Sequence, residues 1–239
     1  MLRIHFLIFG LLIGTRLSAQ QGRVESDPLT HQTLRGCEGR CVLLSGGSFD
    51  LKTEGADLVL EPRNQEALTA IGFPGTESPS REYIGLTKLA VEKLIQNDLK
   101  AFRKEAGTSR LMTWFVKKSW KAMVDGMGSP KSFEFIGTIP DWEQQMVSIV
   151  KLQLDAGPQF FWLNWKGRKV KNVGHGHRVP GVPWFTAGPE STFARSAAYP
   201  GRTQWTRLSF DVDSSGTVVG LRLYSADGLS GLAAQKNLQ

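Results

Sequence analysis

The sequence predicts an α+β fold, and three observations carry that prediction. Apolar residues recur at helical spacing from about residue 79 to residue 127. From Lys131 onward the period changes to two, in short alternating runs. Similar short runs, cut by glycine turns, precede the helices. Helices grouped in one stretch, with hairpins before and after, are the α+β pattern; strands alternating singly with helices would indicate a parallel sheet. The 239 residues, 41% hydrophobic and 21% charged, suit a globular chain with a buried core and exclude disordered and fibrous classes.

The elements follow in chain order. Residues 27–36 read as linker. Residues 41–44, 48–52 and 56–60 read as short strands divided by turns at Gly46-Gly47 and Glu54-Gly55. A boundary falls at residues 72–79 (GFPGTESP). There Ser78 can cap a helix with Pro79 in its first position. That helix is expected to run to about Ala106 and stop at Gly107. Ile84, Val91, Ile95, Leu99 and Phe102 form its apolar stripe. A second helix, capped by Thr108 or Ser109, carries Met112, Val116, Trp120, Met123 and Met127 at steps of four and three, with Phe115 alongside. Such a stripe reads as core. Lys117, Lys118 and Lys121 lie off it, on a face that reads as solvated or, alternatively, as a site for an anionic partner. Gly126, Gly128 and Pro130 end this helix.

Beyond it, Phe133 and Phe135 alternate with Ser132 and Glu134, and Val150, Leu152 and Leu154 with Lys151, Gln153 and Asp155. The run FFWLNW (160–165) turns at residues 166–168 into a strand over 169–173. Leu208, Phe210 and Val212 pass through a turn at residues 213–216 into Val219, Leu221 and Leu223. These are antiparallel hairpins, each expected to bury one face.

The N-terminus has the three-part layout of a secretory signal peptide: Arg3, a nine-residue apolar core over 6–14, and Leu17-Ser18-Ala19 before Gln20. Cleavage is expected after Ala19, which places the protein in the periplasm or outside the cell. The competing reading is an uncleaved anchor, but the core falls short of the roughly 20 residues of a comfortable span. No transmembrane span is expected after cleavage. Removing residues 1–19 lowers the excess of Lys and Arg over acids from +7 to 27 − 22 = +5. For an exported basic chain, an anionic envelope component or lipid surface is a more fitting partner than nucleic acid. Cys37 and Cys41 enclose three residues, including Gly39. In an oxidising compartment a disulfide is the favoured reading, since C-x3-C supplies two ligands where structural zinc needs four.

Catalytic signatures are missing. His175-Gly176-His177 has no nearby third ligand, and its glycines read as a loop. Asp211 to Gly216 begins like a calcium loop, but the twelfth position is Arg222, so the segment reads as a hairpin turn. There is no G-x-S-x-G, H-E-x-x-H or phosphate-cradling loop. No metal or cofactor is expected. Asp141 and Glu143 read as solvated acids, and most of the seven Trp as core.

Five segments carry a resemblance: GGSFDLKTEGADLVLEP (46–62), VEKLIQNDLKAF (91–102), GSPKSFEFIGTIP (128–140), FFWLNWKGRKVKNV (160–173) and LSFDVDSSGTVVGLRLY (208–224). Together they resemble the accessory region downstream of the catalytic domain in secreted serine hydrolases of the class C β-lactamase and penicillin-binding-protein kind. The helix pair and the strands after it also resemble the NTF2-like cone, two main helices on a curved antiparallel sheet. The family's S-x-x-K does not occur on the predicted helices, where Ser119-Trp120-Lys121 has the wrong spacing, and its Y-x-N and K-T-G have no counterpart; the nearest strings are Lys52-Thr53-Glu54 and Tyr83-Ile84-Gly85. What the resemblance implies is an accessory module without its enzyme, and it assigns no catalytic residue.

The expected organisation is a signal peptide (1–19), a β-rich segment (20–76), an NTF2-like domain (77–176) and a C-terminal hairpin region (177–239). The expected function is an exported, non-catalytic partner- or ligand-binding module. The alternative is a small NTF2-like enzyme or carrier with a cavity between helices and sheet, where Glu134 and Asp155 would be the first titratable groups to consider. A remnant truncated from a larger hydrolase is a third reading.

Overall fold

A computed structural model describes residues 37–44, 46–55, 57–72, 82–140, 145–187, 192–195, 205–215, 217–225 and 231–236. The signal peptide and the linker over 27–36 lie outside the described residues.

The chain is mixed α and β, with four helices and antiparallel sheets among the described residues. Three strands come first: β1 (Gly39–Leu43), β2 (Ser48–Glu54) and β3 (Asp57–Pro62). Four helices follow: α1 (Gln65–Gly72), α2 (Glu82–Ile95), α3 (Leu99–Glu105) and α4 (Arg110–Met127). Next come β4 (Ser132–Pro140), β5 (Met146–Leu154), β6 (Gly157–Lys166) and β7 (Lys169–Gly176), a meander paired in sequence order. The last five strands are β8 (Trp184–Ala187), β9 (Thr192–Arg195), β10 (Trp205–Val212), β11 (Val218–Ser225) and β12 (Gly231–Lys236).

Both β-rich ends of the chain share one closed barrel, in the order β1-β12-β11-β10-β9-β8-β3-β2. Strand β1 is the joint. Cys41 lies opposite Lys236 of β12 on one side and opposite Phe49 of β2 on the other. Closure removes the exposed strand edges that two separate hairpin sets would leave. Helices α1–α4 and the meander enter the chain between β3 and its barrel neighbour β8.

The meander lies between two cores. On one face Ile139, Val147, Ile149 and Phe160 join the barrel interior and the Ala67, Leu68 and Ile71 side of α1. On the other, Val150, Leu152, Leu154, Phe161, Leu163 and Trp165 join Val91, Leu94, Phe102, Val116, Trp120 and Met123 of the helices. This corrects the expectation of one buried face. In β6, Phe160 serves one core and Phe161 the other, because successive side chains point to opposite sides. The unbroken apolar run FFW is what such a doubly covered strand requires.

The helix expected from Pro79 to Ala106 is two helices. Asn97 adopts a left-handed φ of 55°. The Asp98 N–H donates to the Lys93 carbonyl at 2.8 Å and the Asn97 N–H to that of Leu94 at 3.0 Å, closing α2 with a Schellman motif. The Asp98 carboxylate then caps α3 by accepting the Ala101 N–H at 2.9 Å. Ser109 caps α4, accepting the Met112 N–H at 3.1 Å.

Three polar contacts fasten the layers. The Gln65 side-chain amide accepts the Thr138 N–H at 2.7 Å and donates to the Thr138 carbonyl at 2.9 Å. It occupies the place of a further strand beside the bulge at Gly137, where a Cβ would come within 2.8 Å of it. The Trp205 indole donates to the Ile71 carbonyl at 2.6 Å. Glu61 of β3 takes Lys52 at 2.5 Å and also Lys151 of the meander.

Candidate interaction surface

The residues singled out from sequence lie apart from one another. Glu134 stands exposed on β4, opposite Lys151 in register. Asp155, also exposed, sits in the β5–β6 turn and serves as a local tie. It pairs with Lys131 at 3.0 Å and accepts the Ser129 N–H at 3.1 Å. The Lys131 hydrogen bond, then the Ser129 N–H and the Lys131 charge, hold its pKa below the ordinary value. Both carboxylates face water, so neither has the apolar setting expected of a catalytic acid.

Cys37 and Cys41 are buried thiols at the barrel seam. Burial, opposed by the Lys236 charge, pushes both up to about 11. In the reduced form both are therefore protonated at neutral pH. His175 and Gly176 belong to strand β7, opposite Phe161 and Phe160, which corrects the loop reading. The glycines there make room for an aromatic ring: a Cβ at Gly174 would come within 2.5 Å of the Trp162 indole. Both His175 and His177 are exposed. Among the described residues no three His, Cys, Asp or Glu side chains gather as a metal would need. Asp213 makes the expected hairpin turn, accepting the N–H groups of Ser215 and Thr217, each at 2.9 Å.

Two polar features had no clear sequence signal. The first is Glu61, whose side chain is only 8% exposed. Burial works to raise its pKa, but the hydrogen bonds and charges of Lys151 and Lys52 outweigh this and hold it low. Barrel and meander therefore share a buried carboxylate between two cations. The second lies on the helix side of the meander. Thr87 of α2, Thr138 of β4, Ser148 of β5 and Trp165 of β6 bury a hydroxyl or indole N–H with no hydrogen-bond partner among the described residues. Thr138 and Ser148 are opposite each other, and Ser148 is opposite Leu163 of the helix-side core.

The most distinctive surface is on α4. Val116, Trp120 and Met123 are buried, with Trp120 edge-on to Phe161 at 5.3 Å between centroids. The stripe read from sequence is therefore the core face. Phe115 does not belong to it. At 100° per residue, Leu111, Trp114, Phe115 and Lys118 fall on the opposite side of the helix. They are uncovered there: Leu111 is 66%, Trp114 53% and Phe115 50% exposed. Trp114 and Phe115 meet edge-to-face at 4.9 Å, and the Lys118 ammonium lies 5.6 Å from the Trp114 ring centre. Arg110 and Lys117 flank them, both exposed, and Lys121 is tied to Asp125 at 2.7 Å. The signal was present as a second i, i+3, i+4 set on the same helix. An assumption of one apolar face per amphipathic helix hid it.

The chain matches no protein-family model, no curated protein and no solved structure.

Proposed function

We propose that this chain is an exported, non-catalytic binding module whose working surface is the outward face of α4. The observation that carries this is three large apolar side chains uncovered on one stripe, opposite the stripe that packs the core. Solvent-facing aromatics next to one another are the composition of contact surfaces rather than of ordinary helix exteriors. The signal-peptide layout supports export. The resemblance to accessory regions of secreted class C β-lactamase-like hydrolases supports an accessory role, and we read α2–α4 over β4–β7 as a variant of the NTF2-like cone. Under this reading Cys37 and Cys41 are a disulfide in the exported protein, and thiol counting without reductant should find none.

The test has two arms. The purified protein should sediment with isolated envelope fragments, and the Leu111→Ser, Trp114→Ser and Phe115→Ser variants should not. A fluorescent penicillin should leave no covalent label, because acyl transfer needs a nucleophile, a base and oxyanion donors. The one Ser with a Lys three positions on, Ser148, lies on strand β5 facing the helix side, while Lys151 reaches Glu61 of the barrel. Stoichiometric labelling lost on replacing one Ser would overturn the non-catalytic reading. Envelope binding indifferent to the three substitutions would overturn the α4 surface.

A second reading, a small-ligand carrier, is favoured by one observation: the buried polar atoms of Thr87, Thr138, Ser148 and Trp165 between helices and meander. Buried polar groups without protein partners are met by water or by a ligand. Native mass spectrometry distinguishes the two, since a carrier would release a bound small molecule on denaturation.

A further inference from the structure

Resting on that reading and naming its partner, we propose that α4 docks the protein on an anionic phospholipid surface, with Leu111, Trp114 and Phe115 entering the interface and Arg110, Lys117 and Lys118 meeting the headgroups. Charge placement argues for this partner. Residues 99–127, which span α3 and α4, hold seven Lys and Arg against Glu105 and Asp125, a local excess of 7 − 2 = +5 within a whole-chain excess of +7. The chain's positive charge is thus concentrated on the two helices that bear or adjoin the exposed aromatic stripe.

The side-chain types fit the depth they would occupy. Trp favours the headgroup boundary, where the ring is apolar and the N–H stays wet, while Leu and Phe reach further in. Lys118 has a long aliphatic stem and lies over the Trp114 ring, so its ammonium can return to the headgroup level while the stem stays with the aromatics. Helix α4 is 18 residues long, and no helix among the described residues is long and apolar enough to cross a membrane. It is suited to lie in the interface, its inner face still held by Val116, Trp120 and Met123.

A second copy is a poorer occupant of the same stripe. Pairing two such faces would bring Arg110, Lys117 and Lys118 against like charges, whereas anionic headgroups neutralise them.

The experiment uses the whole gene product as the cell processes it, mixed with vesicles of phosphatidylglycerol or of phosphatidylcholine. Cosedimentation with phosphatidylglycerol should exceed that with phosphatidylcholine about tenfold or more, and should weaken with added salt. Trp emission should shift to the blue on binding. Trp114→Ser and Phe115→Ser should each lower binding severalfold while unfolding at the wild-type temperature, and joint Lys117→Glu and Lys118→Glu should remove the preference for phosphatidylglycerol. Equal, weak binding to both lipids, or variants that bind like the wild type, would overturn the proposal. Envelope binding that needs Trp114 and Phe115 but no lipid would overturn the lipid assignment and leave the binding module standing. A concentration-dependent dimer lost in Leu111→Ser would replace the lipid with a second copy.

Discussion

The two sides of α4 answer to different demands. The inner side is filled to the standard of a protein interior: Val116, Trp120 and Met123 press on a sheet whose Phe161 and Trp165 are fully covered. The outer side leaves Leu111, Trp114 and Phe115 in water, though the same helix could have carried Lys or Glu there without disturbing a single core contact. Folding explains the first set and is indifferent to the second. The lesson is that stability and recognition can be separated on one 18-residue helix, so each can be altered without the other.

The comparison is broken most violently from the inside. Phe161→Ala should cost about 3–5 kcal/mol, the usual range for deleting a large ring from a filled core. It should lower the denaturant midpoint of the whole chain, because Phe161 touches both helix and sheet layers. Glu61→Ala should rank next. It strands Lys52 and Lys151 at the junction of barrel and meander. A loss of about 2 kcal/mol is expected, less than the roughly 3–5 for fully buried pairs, because water reaches part of both lysines.

The same carboxylate gives a pH test. Its folded pKa lies below the ordinary value, so its contribution is present above the unfolded pKa, about 4.3, and is lost as pH falls through the lowered folded value. Denaturant midpoints taken through the acid range should fall for the wild type and fall less steeply for Glu61→Gln.

A smaller effect sharpens the helix boundary. Asp98→Ala should cost about 1 kcal/mol by removing the cap on α3. Smallest of all in stability is Phe115→Ser, within about 0.5 kcal/mol of wild type, and it should have the largest effect on binding.

Much of this fold was legible in the sequence, and the failures have physical causes. Period-two and period-3.6 patterns located the strands and helices because burial enforces them locally: Val150, Leu152 and Leu154 face the helix core as their alternation required. The break at Asn97 was spelled in Gln-Asn-Asp, a left-handed residue followed by a cap, but the apolar stripe running on through Leu99 and Phe102 concealed it. Closure of the barrel was not legible. It depends on β1 meeting β12, Cys41 opposite Lys236, a pairing set by tertiary geometry across most of the chain. Of the candidate site, the lysines of α4 were visible, Phe115 was placed beside the core stripe, and Leu111 and Trp114 were not singled out. Glu61 was passed over because a single acid in a strand signals nothing until its two partners are in place.

The central claim, that the outer face of α4 binds and does not fold, is tested most directly by the envelope-bound fraction of Phe115→Ser at matched concentration. The account predicts that this variant keeps the wild-type unfolding midpoint and is left in the supernatant. A Phe115→Ser protein that sediments with the envelope like the wild type, or that is lost from the supernatant only because it has unfolded, would contradict it.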